Sequence, residues 1–198
     1  MLIGSNNSLT YLEPCCLWLK PLKYLGRCQS KGYDFQYLYW GVRVFDFRLY
    51  IDNNNHIIVK NGIYKYNVVS FYEILDFFNK RGDTTLIITL DTLNSNESEA
   101  RIKAIERKFA ETCKIIETIY ENINFCGGYR RDNKEKLYSF TWEEQHEMPL
   151  IITPSEWSRL YRFISKYWPF LIGYLNRRYI RKYDKEKGCL MLNYINKR

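Results

Sequence analysis

The stretch that decides the fold is GVRVFDFRL, residues Gly41–Leu49, in which β-branched and aromatic residues are interspersed with charged ones. It predicts a strand over Val42–Tyr50. Comparable short runs recur along the chain and are separated by stretches compatible with helices, which is the pattern of parallel strands joined by crossovers. The other predicted strands are Leu2–Ile3, Ile57–Lys60, Thr85–Leu90, Ile123–Cys126, Leu150–Thr153 and Leu190–Ile195.

Two helices are predicted from capping signals and periodicity. Ser70 and Glu73 make a capping box ahead of an apolar helical face, and Gly82 ends that helix. From about Ser98 to Asn122, apolar residues recur at near-helical spacing against a charged opposite face, which predicts a long amphipathic helix. No internal repeat, low-complexity tract or Gly/Ser linker interrupts the pattern, so we expect residues 1–198 to form a single α/β domain.

Composition limits the class of protein and of partner. The chain has 198 residues, 46% of them hydrophobic and 17% aromatic, which suits one folded domain with a substantial core and argues against disorder. The formal net charge of +8 favours polyanionic partners, namely phosphoinositide headgroups, an anionic membrane surface or nucleic acid. Charge alone does not choose among these three.

The cysteines and the apolar runs bear on the cellular location. Six cysteines occur without the spacing of a disulfide framework or a zinc site, so we expect free and mostly buried thiols in a reducing compartment. No apolar run is long enough to span a bilayer, and residues 1–10 lack the features of a signal peptide. A cytoplasmic or peripheral membrane location is therefore expected.

Small or polar residues follow most of the predicted strands. These clusters are Gly4–Ser8, Asn61–Gly62, Asp91, Gly127–Gly128, Pro154–Ser155 and Asn193. In parallel α/β folds, and in barrels above all, the residues that handle ligands sit at the carboxyl ends of the strands. The alternative is that Asn, Gly and Ser serve here as ordinary turn residues.

Three segments, taken in order, favour the first interpretation. They are Gly4–Tyr11, then Cys28–Ser30 leading through Gln36 to Gly41–Leu49, and finally Ile57–Gly62. Together they resemble the X-domain of phosphatidylinositol-specific phospholipase C, in which a Gly-Ser/Thr-His-Asn/Asp-Ser segment precedes a Gln. A Gly-Val-Arg-x-Phe-Asp-x-Arg strand and a strand ending in His-Gly then follow in that family. The resemblance covers residues 3–91 and continues more loosely to the end of the chain.

The resemblance implies a fold and a reaction. The fold would be a small, shortened TIM-type (β/α) barrel, as in bacterial and phage forms of the family. In the family, one His acts as general base on the inositol 2-hydroxyl and a second His protonates the departing diacylglycerol oxygen. Asn6 and Asn61 occupy these two positions here, and a carboxamide cannot exchange protons near neutral pH. Acid–base catalysis, which contributes roughly 10²–10⁴-fold, is therefore expected to be missing.

Other positions of the family's site are kept or altered. The family's last strand carries an Asp where this chain has Asn193, whereas Asp46, Arg48 and Asp91 are retained. Arg48 could bind a phosphate through two parallel hydrogen bonds, or it could serve as a buried partner for Asp46 or Asp91. Asn7 is a further candidate for headgroup contact. Metal-dependent relatives cluster acidic ligands near the first His. Because Arg48 stands at one of those sites and Asn7 lies near it, no metal site is expected here. No other cofactor is predicted.

The two histidines of the chain are expected to lie away from this site. His56 precedes the third predicted strand, at its non-catalytic end, and His146 lies in a Glu-rich loop. A surface or structural role is the simpler interpretation of both.

The region from Trp157 to Lys187 interleaves basic and aromatic residues, and Pro169 and Gly173 are expected to divide it into two short helices. Its cations include a predicted anion or membrane patch formed by Arg177, Arg178, Arg181 and Lys182. Such a mixture suits a membrane interface or single-stranded nucleic acid. The alternative is that the aromatics pack on the barrel while the cations are simply solvated.

Three functional hypotheses follow. The leading one is a phospholipase C-like barrel with an impaired catalytic site, which still binds a phosphorylated lipid headgroup or another phosphodiester. The second is an active phosphoric diester hydrolase, for instance of the glycerophosphodiester type, that uses other residues. The third is a basic scaffold or a nucleic-acid-binding protein, although nucleic acid is the less favoured partner.

Overall fold

The computed structural model describes residues 2–6, 8–21, 28–29, 31–66, 71–92, 97–146, 150–154, 158–168, 171–183 and 188–194. Within them, eight strands form one mixed sheet. The strands are β1 (Leu2–Ser5), β2 (Val44–Ile51), β3 (Ile57–Asn61), β4 (Tyr64–Tyr66), β5 (Thr84–Leu90), β6 (Ile123–Arg130), β7 (Leu150–Ile152) and β8 (Gly188–Leu192). The α-helices are α1 (Tyr33–Trp40), α2 (Phe71–Asn79), α3 (Glu99–Ile119), α4 (Thr141–Gln145), α5 (Arg159–Tyr167) and α6 (Ile172–Tyr183).

Six strands run parallel in the order β7-β8-β1-β2-β5-β6. β3 departs from the predicted parallel arrangement, because it pairs antiparallel with β2 and then forms a second hairpin with β4. Only residues 52–56 separate β2 from β3, and a crossover to a parallel strand needs a dozen or more residues. The Asp52 side chain accepts hydrogen bonds from the backbone of Asn54 and His56, which holds the turn closed.

Across the residues that the structure describes, the sheet does not close into a barrel, so the prediction of a TIM-type barrel is only partly correct. β6 and β7 are the two edges of the parallel run, and no pairing joins them within the described residues. β7 has only three residues in the ladder. Trp142 of α4, which follows β6, packs against the small apolar cluster on the inner face of the sheet.

Each face of the parallel run buries a different core. The outer face packs against the helices, and β2 contributes Phe45, Phe47 and Leu49 to this larger core. The inner face holds a small cluster of Val44, Ile87, Cys126, Cys189 and Met191. Gly4 faces this cluster, because a Cβ there would lie 2.2 Å from Met191 Sδ. The strands are therefore buried on both sides, as parallel strands of α/β folds usually are.

The predicted helices are present with shifted ends. α3 begins after Ser98, whose side chain accepts a hydrogen bond from Arg101 N, and it ends three residues before the predicted limit. Gly82, with φ of +70°, donates from its backbone N to Phe78 O and closes α2 as expected. Ser70 of the predicted capping box lies outside the described residues.

The last helical region also differs from its prediction at one point. α5 and α6 are the two expected helices, but Gly173 lies buried in the first turn of α6 and does not separate them. Pro169 lies outside the described residues. The cysteines are free, although Cys15 and Cys16 are exposed rather than buried. Burial raises the pKa of the Cys189 thiol to about 12.

Candidate functional site

The site begins where β1 and β8 end side by side. Ser5 pairs with Leu192, and the backbone N of Asn6 continues the ladder by donating to Leu192 O at 3.2 Å. The side chains of Asn6 and Asn193 thereby meet, with Asn6 Nδ2 donating to Asn193 Oδ1 at 2.7 Å. Both residues are buried.

Arg48 is the central cation of this site. Its Nε donates to Asp46 Oδ2 at 3.0 Å, and its Nη2 donates to Asn6 Oδ1 at 3.1 Å. A longer contact of 3.5 Å joins its Nη1 to Asn61 Oδ1. The Arg48 side chain is 11% exposed. The guanidinium therefore lies between Asn6 and Asn61, the two asparagines predicted from the sequence at histidine positions.

A second cation, Arg131, extends these contacts on the other side of Asn61. Together they form one hydrogen-bonded row of Asn193, Asn6, Arg48, Asn61, Arg131 and Asp91. Its Nη1 donates to Asp91 Oδ2 at 2.5 Å and to Asn61 Oδ1 at 3.2 Å. Asp91 is fully buried and also accepts from Gly62 N at 3.0 Å. Asn61 Oδ1 thus accepts from both arginines, which links the β2 side of the site to the β6 side.

The backbone under Asn6 is held by buried polar side chains. Gln29 Nε2 donates to Asn6 O at 3.0 Å and to Leu192 O at 2.8 Å. Ser8 Oγ donates to Ser5 O at 2.7 Å and accepts from Asp46 N at 3.1 Å. The loop after β1 is therefore connected to both neighbouring strands, which fixes the position of the Asn6 side chain.

A buried lysine flanks the row. The Lys60 ammonium lies 4.8 Å from the centroid of the Tyr50 ring, and burial lowers the pKa of Lys60. Nearby Asp91 opposes this shift, whereas Lys65 and Arg131 add to it. Tyr50 donates to Glu97 Oε1 at 3.0 Å, and its pKa is raised to about 12 by burial and by that hydrogen bond.

A cavity of about 230 Å³ opens on the inner side of the row. Its walls come from six parallel strands and the segments that follow them: Asn6, Asp46, Arg48, Ile87, Thr89, Tyr129, Arg131, Lys134, Ile151, Thr153 and Met191. Ile87 and Met191 belong to the inner apolar cluster, so the cavity lies directly on that cluster. Thr89 is buried, and its Oγ1 has no hydrogen-bond partner within the structure.

Eight of the cavity residues were not predicted as site residues, and three of these eight lie at the end of β6 or just after it: Tyr129, Arg131 and Lys134. The reason is a bulge in β6, where the register with β5 shifts between Ile88 and Thr89. Gly128 sits in this bulge with φ of +66°, and a Cβ there would lie 2.0 Å from Tyr138 O. β6 consequently extends to Arg130, four residues beyond its predicted end, and Arg131 stands at its carboxyl end. The strand-end rule applied to that longer strand would have found Arg131.

The remaining predicted residues lie elsewhere. His56 is largely exposed at the β2–β3 turn, where its Nδ1 lies 3.5 Å from Asp52 Oδ2. Because β3 is antiparallel, His56 lies beyond the carboxyl end of β2 and not at the opposite end of the sheet as predicted. His146 is exposed and stacks on Trp142. Neither histidine lines the cavity. Asn7 lies outside the described residues.

The predicted basic patch is separate from this cavity. Arg177, Arg178, Arg181 and Lys182 are all exposed on α6. Across the described ranges, no helix combines the length and the apolar character needed to cross a membrane. The same ranges contain no cluster of three or more His, Cys, Asp or Glu residues that could hold a metal ion.

The chemistry of the row follows from its side chains. Two guanidiniums, each bound to a carboxylate, alternate with two carboxamides that both donate and accept hydrogen bonds. Such groups can hold an anionic oxygen and neighbouring hydroxyls. Neither Asn6 nor Asn61 can take up or release a proton at neutral pH.

Comparison with known proteins identifies the fold. By sequence, no protein-family model and no curated protein matches the chain. By structure, the chain is similar to phosphatidylinositol-specific phospholipase C from Staphylococcus aureus. A single mutant of that enzyme matches with a TM-score of 0.59 and 13% identity, covering 98% of this chain and 84% of that one. A double mutant matches with a TM-score of 0.58 and the same identity and coverage.

A third structure, solved in work on the modulation of that enzyme's membrane binding, matches with a TM-score of 0.58 and 12% identity. The match covers 98% of this chain and 85% of that one. The chain therefore has a fold like that of phosphatidylinositol-specific phospholipase C, which confirms the resemblance predicted from the sequence. At this level of identity, the likeness concerns the fold alone.

Proposed function

We propose that the chain is a phospholipase C-like protein, with a shortened barrel left open between β6 and β7, that binds a phosphorylated polyol headgroup without cleaving it. The observation that carries this proposal is the hydrogen-bonded row of Asn6, Arg48 and Asn61 at the cavity. The two amides flank the guanidinium at the positions that hold the acid and the base in the family.

Phosphate binding is supported by the character of the cavity. Arg48 and Arg131 each present a planar guanidinium, and Lys134 adds a third cation to the lining. Arginine binds phosphate oxygens through pairs of parallel, charge-assisted hydrogen bonds. Asp46 and Asp91 hold these arginines in place by ion pairs of 3.0 and 2.5 Å, so little side-chain freedom is lost when an anion binds.

The polyol part of the ligand is supported by the uncharged polar lining. Thr89, Thr153 and Tyr129 carry hydroxyl groups at the same cavity as the cations. The buried Thr89 hydroxyl has no hydrogen-bond partner, which lowers the stability of the protein. A ligand hydroxyl or phosphate oxygen that bonds to it would remove this penalty. An inositol phosphate, the headgroup class named by the structural relatives, combines hydroxyls with a phosphate.

The absence of cleavage follows from the two amides. An attacking hydroxyl must lose a proton and the leaving oxygen must gain one, and each transfer needs a positioned acid or base. The Asn6 carboxamide donates to Asn193 instead, so the pair is a neutral amide contact in place of a base and its orienting carboxylate. Both catalytic contributions, each roughly 10²–10⁴-fold, are lost together.

Calorimetric titration with myo-inositol 1-phosphate tests the binding proposal. Arg48→Lys removes the planar guanidinium, so we expect the affinity to fall about 10- to 100-fold, corresponding to the loss of one or two charge-assisted hydrogen bonds. Arg43→Lys is the matched control, because Arg43 also pairs through its Nε with an aspartate, Asp83, but lies outside the cavity. Equal affinity of the two variants, or no binding by the unmodified chain, would overturn the proposal.

A further inference from the structure

α5 and α6 carry a dense positive charge on their exposed side. Residues 158–183 contain seven Lys or Arg residues and no Asp or Glu, in a chain whose net charge is +8. The seven side chains are all exposed: Arg159, Arg162, Lys166, Arg177, Arg178, Arg181 and Lys182. Because this segment supplies no carboxylate of its own, its surface attracts anions.

The same two helices and the residues that flank them expose large apolar side chains. They are Leu160, Phe163, Tyr167, Trp168, Leu171 and Tyr174, among which Leu160 is 58% and Tyr174 66% exposed. Single exposed apolar residues are ordinary, but a group of them on one pair of helices marks an interaction surface. This pair, α5 and α6, is called the hairpin below. Six of them within fifteen residues make such a group.

Cations and apolar groups share the same clefts of this surface. One cleft of about 270 Å³ is bordered by Leu160 on α5 and by Arg178 and Lys182 on α6. A second, also of about 270 Å³, is bordered by Tyr174, Arg177, Arg178 and Arg181, all on α6. A partner that binds the hairpin therefore contacts cationic and apolar side chains together.

We propose that this exposed face of α5 and α6 is a docking surface for an anionic lipid bilayer. Tyrosine and tryptophan settle at the level of the headgroups, while lysine and arginine bind anionic lipid. Leu160 and Leu171 favour a bilayer over single-stranded nucleic acid, because an aliphatic side chain gives no stacking platform for bases but inserts among acyl chains.

The docking surface is firmly connected to the cavity described above. Tyr161 of α5 is fully buried, and its hydroxyl donates to Asn176 Oδ1 of α6 at 2.7 Å. The same hydroxyl accepts from Asn193 N at 3.0 Å, and Asn176 Nδ2 donates to Asn193 O at 3.1 Å. A bilayer that binds the hairpin is thus held at a fixed position relative to the row of Asn6, Arg48 and Asn61.

Sedimentation with vesicles tests this surface and does not depend on the cavity. Vesicles of phosphatidylcholine alone are compared with vesicles that contain phosphatidylserine in addition. The test variant changes Arg177, Arg178, Arg181 and Lys182 to Gln. The control variant changes Lys80, Lys103, Arg107 and Lys114 to Gln, which are exposed on or beside α2 and α3 and lower the net charge equally.

We expect the unmodified protein to prefer the anionic vesicles and to dissociate as salt is raised, since exposed charges are screened. A cation near the surface contributes about fivefold, so the test variant should lose roughly a hundredfold or more in partitioning, and the control far less. Leu160→Ser with Phe163→Ser should remove the binding that persists at high salt. Circular dichroism checks that each variant is folded.

Three outcomes would overturn the docking surface. One is equal loss by the two fourfold variants, because the effect would then reflect net charge and not this face. The other is tight binding of a single-stranded oligonucleotide, sensitive to the test variant, by a protein that ignores anionic vesicles. Absence of binding to any vesicle would also refute it.

Discussion

The contact between Asn6 and Asn193 pairs two buried amides at the positions where the proposed function places a lost catalytic base and its orienting carboxylate. Asn6 Nδ2 donates to Asn193 Oδ1, and Asn6 Oδ1 accepts from Arg48, so the polar atoms at this depth are paired. A buried site keeps its structure when its hydrogen bonds are satisfied, whatever its ability to move protons. The proposed loss of catalysis at these positions is therefore compatible with a well-ordered cavity.

Restoring the histidines gives a prediction at these residues. Asn6→His alone should recover little cleavage of phosphatidylinositol, because the leaving oxygen still lacks an acid. The double change Asn6→His with Asn61→His should recover more than the product of the two single effects, since a paired acid and base act as a unit. Adding Asn193→Asp should raise the rate further by orienting the new base.

The effect is measured as turnover of a short-chain phosphatidylinositol by four proteins: the unmodified protein, Asn6→His, Asn61→His and the double variant. If Asn6→His alone recovers as much activity as the double variant, Asn61 is not at the acid position. The alignment on which the site rests would then be wrong.

Thr89 offers a second prediction at the scale of one hydroxyl group. Thr89→Val removes the unpartnered Oγ1 that lines the cavity, so the affinity for myo-inositol 1-phosphate should fall roughly three- to tenfold, the effect of one neutral hydrogen bond. Thr84→Val is a close control, because Thr84 is on the same strand, is equally buried and unpartnered, and does not line the cavity. Calorimetry on both variants decides it. A loss in both, or in neither, would remove Thr89 from the binding site.

Among the elements, the β6 bulge determines which side chains enter the cavity. Gly127 and Gly128 both have positive φ, and a Cβ on Gly127 would lie 2.5 Å from Ile88 O. The extra residue changes the alternation of the strand, after which Tyr129 and Arg131 both line the cavity. The bulge therefore shapes the cavity, although neither glycine lines it with a side chain.

Gly128→Ala tests that role. Its new Cβ would meet Tyr138 O at 2.0 Å in addition to the strain of φ at +66°, so the variant should lose both stability and affinity for inositol phosphate. Gly41→Ala is the control, since Gly41 has φ of +64° with open space around it and should cost only the left-handed strain of about 1–2 kcal/mol. Urea unfolding and calorimetry separate the two effects. A Gly128→Ala protein that unfolds and binds like the Gly41→Ala control would contradict this role.

At the scale of the whole molecule, local sequence predicts some elements of the sheet, whereas others depend on contacts between distant parts of the chain. Gly41–Leu49 identified the central strand, because its apolar residues and its Asp46 and Arg48 are local information. The antiparallel course of β3 was also readable, since its short connection to β2 excludes a crossover, but the general pattern of strands alternating with helices led to a prediction of parallel strands throughout. The β6 bulge was not readable, because it depends on the backbones of Ile88 and Tyr138.

The open sheet was likewise beyond local sequence signals. Whether β6 pairs with β7 depends on the long segment between them and on the packing of Trp142 against the inner cluster. The residues near the carboxyl ends of the parallel strands nevertheless meet as that pattern implies, and Asn61 joins them from the antiparallel β3. The resulting hydrogen-bonded row contains Asn6, Arg48, Asn61, Arg131, Asp91 and Asn193. Their roles in binding stay a prediction.

Phosphorus NMR of the unmodified protein with a short-chain phosphatidylinositol tests the central claim most directly, because it follows binding and cleavage in one sample. The proposal predicts that the phosphodiester resonance shifts or broadens on addition of protein, that Arg48→Ala abolishes this change, and that no new resonance grows in. A cyclic phosphate or phosphomonoester resonance that appears with the unmodified protein and is lost in Arg48→Ala would contradict the claim and show an active phosphodiesterase.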